Sequence, residues 1–259
     1  MVIVITGIIA AVVGVFIRSP VEGYMDLSRR AELVDAAESA LRLMARDIRR
    51  ALPNSIRCTP DCDSGTATAI EMINTVQGAR YRSAPPGTPA KVLSFTTADA
   101  SFNVLGQFLP TGTFAGNHLV IYNLGATGAD AYNFDPVITP AGSITITDDI
   151  TPPNTDEQTI TLAAGHRFAF QSPRQRIFLV DTAIGYACNY GTGSLLRDTH
   201  AIGAAMGGGD PVTRHISNCS FTYSAGTATR SGLVTLALTL TDSGESVRLL
   251  HQVHVDNAP

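Results

Sequence analysis

Four cysteines are the residues of this chain best placed to do covalent chemistry, and they fall into two groups. Cys58 and Cys62 bound the tight segment CTPDC, while Cys188 and Cys219 flank a glycine-rich stretch. The economical reading is two disulfides, Cys58–Cys62 and Cys188–Cys219, each joining neighbouring stretches of sequence and kept oxidised in an extracytoplasmic compartment. Four cysteines nevertheless allow three pairings. Zinc is the rival reading: the first pair has a tolerable ligand spacing, but the distant second pair lacks a ligand doublet.

The remaining reactive side chains form no catalytic pattern. No serine sits in a G-x-S-x-G elbow, and Gly191-Thr192-Gly193-Ser194-Leu195-Leu196 ends in leucine where a dinucleotide fingerprint needs glycine. A phosphate loop needs a Gly-Lys pair, whereas Lys91 is the sole lysine. His251 and His254 would point to opposite faces of a strand, and His166, His200 and His215 stand alone in sequence. Asp148, Asp149, Asp156 and Glu157 make an acidic loop that lacks the D-x-D-x-D-G calcium spacing, so it reads as a solvated loop. No catalytic, cofactor or metal residue is expected, and the chain reads as a non-enzyme. The net charge of −4 gives no general attraction to nucleic acid. Arg80, Arg82, Arg167, Arg174 and Arg176, with Tyr81 and Phe168 between them, would form a nucleic-acid strip only if they converged in space.

The element at the start of the chain is a helix of two characters. Residues 2–17 carry no charge, and at ~1.5 Å per residue they span ~24 Å, short of the ~30 Å hydrocarbon core, as if the beginning of a membrane segment were missing. A cleavable signal would need a basic region before the run and small residues after it, where Arg18-Ser19-Pro20 stand instead. Val2, Ile3, Ile5, Ile8, Ile9, Val12, Val13, Phe16 and Ile17 are the candidate membrane and assembly residues. Beyond them Val34, Ala37, Leu41, Met44, Ile48 and Leu52 recur at three- and four-residue steps among charged residues, which predicts an amphipathic helix ending at Pro53. Leu41, Met44 and Ile48 are expected to anchor the rest of the chain on this helix, and Pro20 with Gly23 predicts a kink or local melting. Arg49 and Arg50 read as a solvated face that offsets the helix dipole, with a contact surface for acidic partners as the alternative. Arg18, Arg29 and Arg30 argue by the charge rule for a cytoplasmic C-terminal side; the cysteines argue for the opposite side.

After Pro53 the composition turns to Gly, Thr, Ser and Pro with alternating apolar residues. Strands are predicted at 91–97, 117–124, 143–147, 159–163, 167–171 and 176–181. The clearest signal is a C-terminal hairpin: Val234, Leu236, Leu238 and Leu240 alternate with polar or small residues, and after Asp242-Ser243-Gly244 so do Val247, Leu249, His251, Val253 and Val255. Loops are marked at 82–90, 125–135, 148–157 and 207–209. The expected organisation is a membrane or spine helix over 1–52 and a periplasmic β-rich domain over 53–259.

The apolar start MVIVITGIIAAVVGVFI, the amphipathic continuation to Leu52, and the order RQRIFLVDTAIGYACN, GSLLR and NCSFTYSAGTATRSGLVTLALTLTDSGESVRLLHQVHV together resemble type IV minor pilins, or pseudopilins, of the kind that take part in biogenesis of mannose-sensitive haemagglutinin (MSHA) pili. The resemblance implies an α+β fold, with a long N-terminal hydrophobic and amphipathic spine helix packed on a pilin-like β domain of mainly antiparallel sheet. It implies a single-pass protein of the bacterial inner membrane, with its C-terminal domain in the periplasm and later at the tip or base of a pilus fibre. Its role would be to prime or cap pilus assembly, with other minor pilins, the major pilin, the inner-membrane assembly platform and membrane lipid as partners. Nucleic acid, small-molecule substrates and cofactors are not expected; a membrane-anchored periplasmic binding module such as a tip adhesin or DNA-binding pilin is the alternative, and an anchored periplasmic hydrolase is a further one. Pilins begin with a basic leader, a glycine, an aromatic residue and a glutamate, so an in-frame extension upstream of Met1 is expected to encode them.

Overall fold

The computed structural model describes residues 2–84, 91–152, 155–226 and 230–257, with the backbone alone for 8–22. The candidate residues Ile8, Ile9, Val12, Val13, Phe16 and Ile17 therefore lie outside the described side chains, and much of the loop at 82–90 lies outside the described residues. Helix α1 (Val2–Arg49) is followed by β1 (Arg57–Thr59), β2 (Ala69–Tyr81), β3 (Asp99–Leu105), β4 (Gly112–Ala115), β5 (His118–Val120), a 3-10 turn (Ala131–Asn133), β6 (Ser143–Asp148) and β7 (Glu157–His166). The chain continues through β8 (Arg176–Asn189), β9 (Ser194–His200), β10 (Asp210–Thr213), β11 (Ile216–Ser224), β12 (Gly232–Asp242) and β13 (Glu245–Val255).

Ten strands form one antiparallel sheet in the order β10-β9-β8-β2-β3-β7-β6-β4, with β1 beside β2 and β5 beside β8; β11-β12-β13 form a second sheet. This corrects the expected fold class. The protein is mostly β, dominated by the ten-stranded sheet, and is not a long helix packed on a pilin-like domain. Among the described side chains of α1, apolar burial begins at Leu33, and Tyr24, Met25 and Leu27 before it stand exposed. The helix ends at Arg49 and runs through Pro20 and Gly23, the positions at which the sequence predicts a kink or local melting.

The strands differ from expectation for identifiable reasons. The predicted strands at 91–97 and 167–171 are irregular segments, and that at 117–124 shrinks to β5. The central pairing of the large sheet is β2 with β8, yet no strand is predicted at β2, because Asn74, Thr75, Gln77 and Gly78 interrupt its alternation. The register shifts at Ile73/Thr75 and Thr75/Gln77 absorb that interruption, and the Asn74 amide donates to Asp181 Oδ1 at 2.8 Å beside them. The β12–β13 hairpin matches its pattern from Gly232↔Val255 to Asp242↔Glu245. Ser243 (φ 47°) and Gly244 (φ 93°) supply the two positive φ angles that a tight two-residue turn needs.

Leu41, Met44 and Ile48 are buried in one cluster with Leu236, Leu238, Leu240 and Val253 of the small sheet and Ile70, Met72 and Tyr186 of the large one. The helix end thus lies between the two sheets. Asp47, only 3% exposed, is held there: Tyr186 Oη donates to its Oδ2 at 2.7 Å, and Arg197 Nε donates to the same oxygen at 2.9 Å. Burial first, and then the bond to ionised Asp47, push the Tyr186 phenol well above its ordinary pKa. Cys188 of β8 is bonded to Cys219 of β11, so a covalent link joins the sheets, while Cys58–Cys62 closes the loop after β1. A second core of Phe102, Ile144, Ile160, Phe168, Ile177 and their neighbours fills the far half of the large sheet.

Leu41→Ala, Met44→Ala and Ile48→Ala are each expected to cost ~2 to 5 kcal/mol in denaturant unfolding, whereas Arg42→Ala and Arg46→Ala, on the solvated face, stay within about 0.5 kcal/mol. Equal small effects at both sets would show that the helix face adds nothing to the domain. Reduction of Cys188–Cys219, which closes a separation of 31 residues, is expected to remove ~3 to 4 kcal/mol on the chain-entropy account. Calorimetry of the Cys188→Ser, Cys219→Ser pair checks this; an unchanged midpoint would contradict it.

Candidate functional site

The antiparallel register of β2 and β8 sets Arg80 opposite Arg176 and Gly78 opposite Phe178. Gly78 leaves room for its neighbour: a Cβ there would meet the Phe178 ring at 3.3 Å, so the ring can lie close over the strand. Beside this pair a cavity of about 480 Å³ is lined by Gly78, Ala79, Leu105, Phe108 and Phe178, with Arg80 and Arg176 at its edge. Phe108 is 64% exposed, and its ring rests on the backbone of Gly106 (φ 79°), where a Cβ would come within 2.3 Å of the ring.

Two further depressions adjoin this cavity. One of about 370 Å³ is bounded by Arg80, Pro173, Arg174 and Arg176. The other, about 330 Å³, shares Gly78, Arg176 and Phe178 and reaches the end of α1 at Arg49 and Arg50. The connection to the helix is direct, since Thr75 N–H donates to the Arg50 carbonyl at 2.9 Å. The result is a groove whose apolar patch of Phe178 and Phe108 is bordered by arginines, with Arg176 lining all three depressions. Arg80 donates to Gln175 Oε1 at 3.3 Å, and Arg176 donates to Asp256 Oδ2 at 3.2 Å.

Only part of the arginine series read from the sequence is in this groove. Arg80, Arg174 and Arg176 converge, whereas Arg82 is buried and paired with Glu157. Tyr81 and Phe168 are 1% and 0% exposed, so neither ring can stack on a base. Arg49 and Arg50 were not expected here, because a helix-end arginine gives no sign in sequence of which strand it will adjoin. Gly78, Phe108 and Phe178 carried no signal either, since a cross-strand glycine and phenylalanine become neighbours only through register.

The acidic loop is used internally. Glu157 accepts from Arg82 Nε at 2.9 Å and from Asn103 Nδ2 at 3.0 Å, while the same amide donates to Asp149 Oδ2 at 2.8 Å. Thr159 Oγ1 donates to Asn103 Oδ1 at 3.0 Å and completes a buried network over the second core. The Asn103 hydrogen bond, followed by that from Thr151 N–H, holds the Asp149 carboxyl below its usual pKa.

Two other polar groupings have no counterpart in the sequence reading. His200 lies between Glu71 Oε1 and Asp198 Oδ2, each 3.1 Å from a ring nitrogen. Arg57 stacks 3.8 Å over the Tyr132 ring and pairs with Asp130. Burial, with Glu71 adding to it, raises the Tyr132 phenol well above its ordinary pKa. His251 and His254 fall on opposite faces of β13, and His166 stacks edge-on against Phe168. Among the described residues no group of three or more His, Cys, Asp or Glu side chains is arranged to hold a metal ion.

Of the N-terminal candidates, Val2, Ile3 and Ile5 are exposed, Ile3 by 86%. Among the described residues no helix is long and apolar enough to cross a membrane. No protein-family model matches the chain, and neither a curated protein nor a solved structure matches it.

The Asp149 carboxyl has a depressed folded-state pKa, so its contribution to stability is present above the unfolded value of ~3.9 and is lost as pH falls through the folded value. Asn103→Leu removes the largest cause of that depression and is expected to raise the Asp149 titration midpoint toward ~3.9, followed by carboxyl carbon shifts in NMR. An unchanged midpoint would leave the Thr151 backbone bond as the cause.

Proposed function

We propose that this chain is a minor-pilin-type assembly component that primes or caps a type IV, MSHA-like pilus, and that it is not an enzyme. The observation that carries the reading is the split in α1: residues 33–48 bury their apolar side chains between two sheets, while Val2, Ile3, Val4 and Ile5 stand exposed at its start. Exposed residues of this size in a row are an unmet demand for lipid or for another apolar helix. The expected partners are inner-membrane lipid first, then the helices of other minor pilins and the major pilin at the assembly platform. The two disulfides suit the periplasmic side of that membrane.

The second reading, an anchored periplasmic binding module such as a tip adhesin, is favoured by one feature, the arginine-edged groove with its exposed Phe108. The first reading predicts that deleting the gene abolishes or sharply reduces pili, and that proteomics of sheared fibres finds this chain far below the main subunit. Removal of residues 1–23 is expected to abolish incorporation while the β portion stays folded. Near-stoichiometric amounts along the fibre, or normal piliation in the deletion strain, would refute the role.

A further inference from the structure

We propose that the groove along β2 and β8 is a docking site for an extended acidic peptide segment with an apolar or aromatic residue at its centre. The inference rests on the order of chemistry along the strands and does not depend on the filament reading. Arg49 and Arg50 stand toward the helix end; Phe178 over Gly78 and the exposed Phe108 make an apolar patch; Arg80 and Arg174 stand beyond it, and Arg176 borders all three depressions. From Thr75 to Arg80 the floor runs five residue steps, ~17 Å at ~3.4 Å each, which is the length of about five or six residues of extended peptide. A peptide with carboxylates on both sides of a phenylalanine, leucine or similar side chain would meet guanidinium groups at its ends and the apolar cavity of about 480 Å³ at its centre.

Charge complementarity is local. The whole chain is acidic by four charges, yet among the described residues lining these depressions Asp256 is the one carboxylate against five arginines. Four of the five, Arg49, Arg50, Arg80 and Arg174, are exposed and so reach solvent-borne carboxylates without prior rearrangement of the core. Arginine suits the task because its planar fork meets a carboxylate with two parallel hydrogen bonds. A single-stranded nucleic acid fits less well. The aromatic rings that alternate with the arginines in sequence, Tyr81 and Phe168, are buried.

The test uses the full chain in detergent micelles and fluorescence anisotropy with a labelled octapeptide of glutamate and aspartate around one central phenylalanine. The same peptide with serine at its centre and an octathymidylate of similar length serve as comparisons. Saturable binding of the phenylalanine peptide is expected, weakened about tenfold or more by Arg174→Glu, a change at an exposed side chain. Phe108→Ser is expected to erase the advantage of the phenylalanine peptide over its serine counterpart, the signature of a direct contact between the two rings. Near-ultraviolet circular dichroism shows whether each variant keeps the native packing. Absence of saturable binding to the folded wild-type chain, or binding indifferent to Arg174→Glu, overturns the proposal. Octathymidylate binding as tightly as the peptide also overturns it and makes the groove a nucleic-acid surface.

Discussion

The arrangement turns on one buried carboxylate. Asp47 sits in the last turn of α1 at a position where the helix faces both sheets, and an ionised group there is tolerable only if its charge is met. Tyr186 on β8 and Arg197 on β9 meet it, with Arg197 Nε also 3.2 Å from Tyr186 Oη. Hydrophobic packing alone would let the helix slide or rotate over a smooth surface of leucine and isoleucine. A hydrogen-bonded carboxylate does not, because a displacement of one residue would leave a charge, a phenol and a guanidinium unpaired at once.

That fixed point has consequences along the chain. With α1 ending over β8 and β9, the segment after it pairs immediately with β2 through Ala51↔Asn74, and Arg50 receives the Thr75 N–H. The two arginines that follow Ile48 are thereby delivered to one end of the β2–β8 surface, whose other end carries Arg80 opposite Arg176. The small sheet is tied in from the other side by Cys188–Cys219 and by the bridge Ala67↔Phe221. The floor of the groove is thus assembled from the helix end and the central strands, whose relative positions are set by a carboxylate cluster and a disulfide, while the loops after β3 and before β8 add Phe108 and Arg174.

What could be read from the sequence follows the physics of periodicity. The repeat of Val34, Ala37, Leu41, Met44 and Ile48 has one interpretation, and the hairpin of β12 and β13 announces itself because one face packs on the helix and the other meets solvent. The central strands do not. The β2 strand carries two register shifts, so alternation breaks at Asn74 and Gln77 just where the strand is most important. Without a legible β2 the helix is the most regular signal in the sequence, so a predominantly β protein resembles a helix bearing a domain. The site suffered the same limit: Arg80 and Arg176 were visible as charges, but their pairing is a fact of register. Arg82, two residues from Arg80, has the opposite fate because the strand alternation ends at Tyr81 and its head finds Glu157.

The exposed apolar start and the basic groove lie at opposite ends of α1. From Ile5 to Arg49 the contour is ~66 Å at ~1.5 Å per residue, several Debye lengths at physiological salt, so the charge of the groove has no reach to the apolar end. Neither surface shares a side chain with the other, and the buried stretch between them, Leu33 to Ile48, is held by the two sheets. A ligand in the groove would meet Arg49 and Arg50 immediately after that clamped stretch, while anything gripping Val2 to Ile5 would pull on the helix well before it. Two surfaces of opposite chemistry on one anchored helix can be occupied at the same time without competing, and coupling between them would pass through the packed stretch that includes the Asp47 cluster, where the helix is bonded to both β8 and β9.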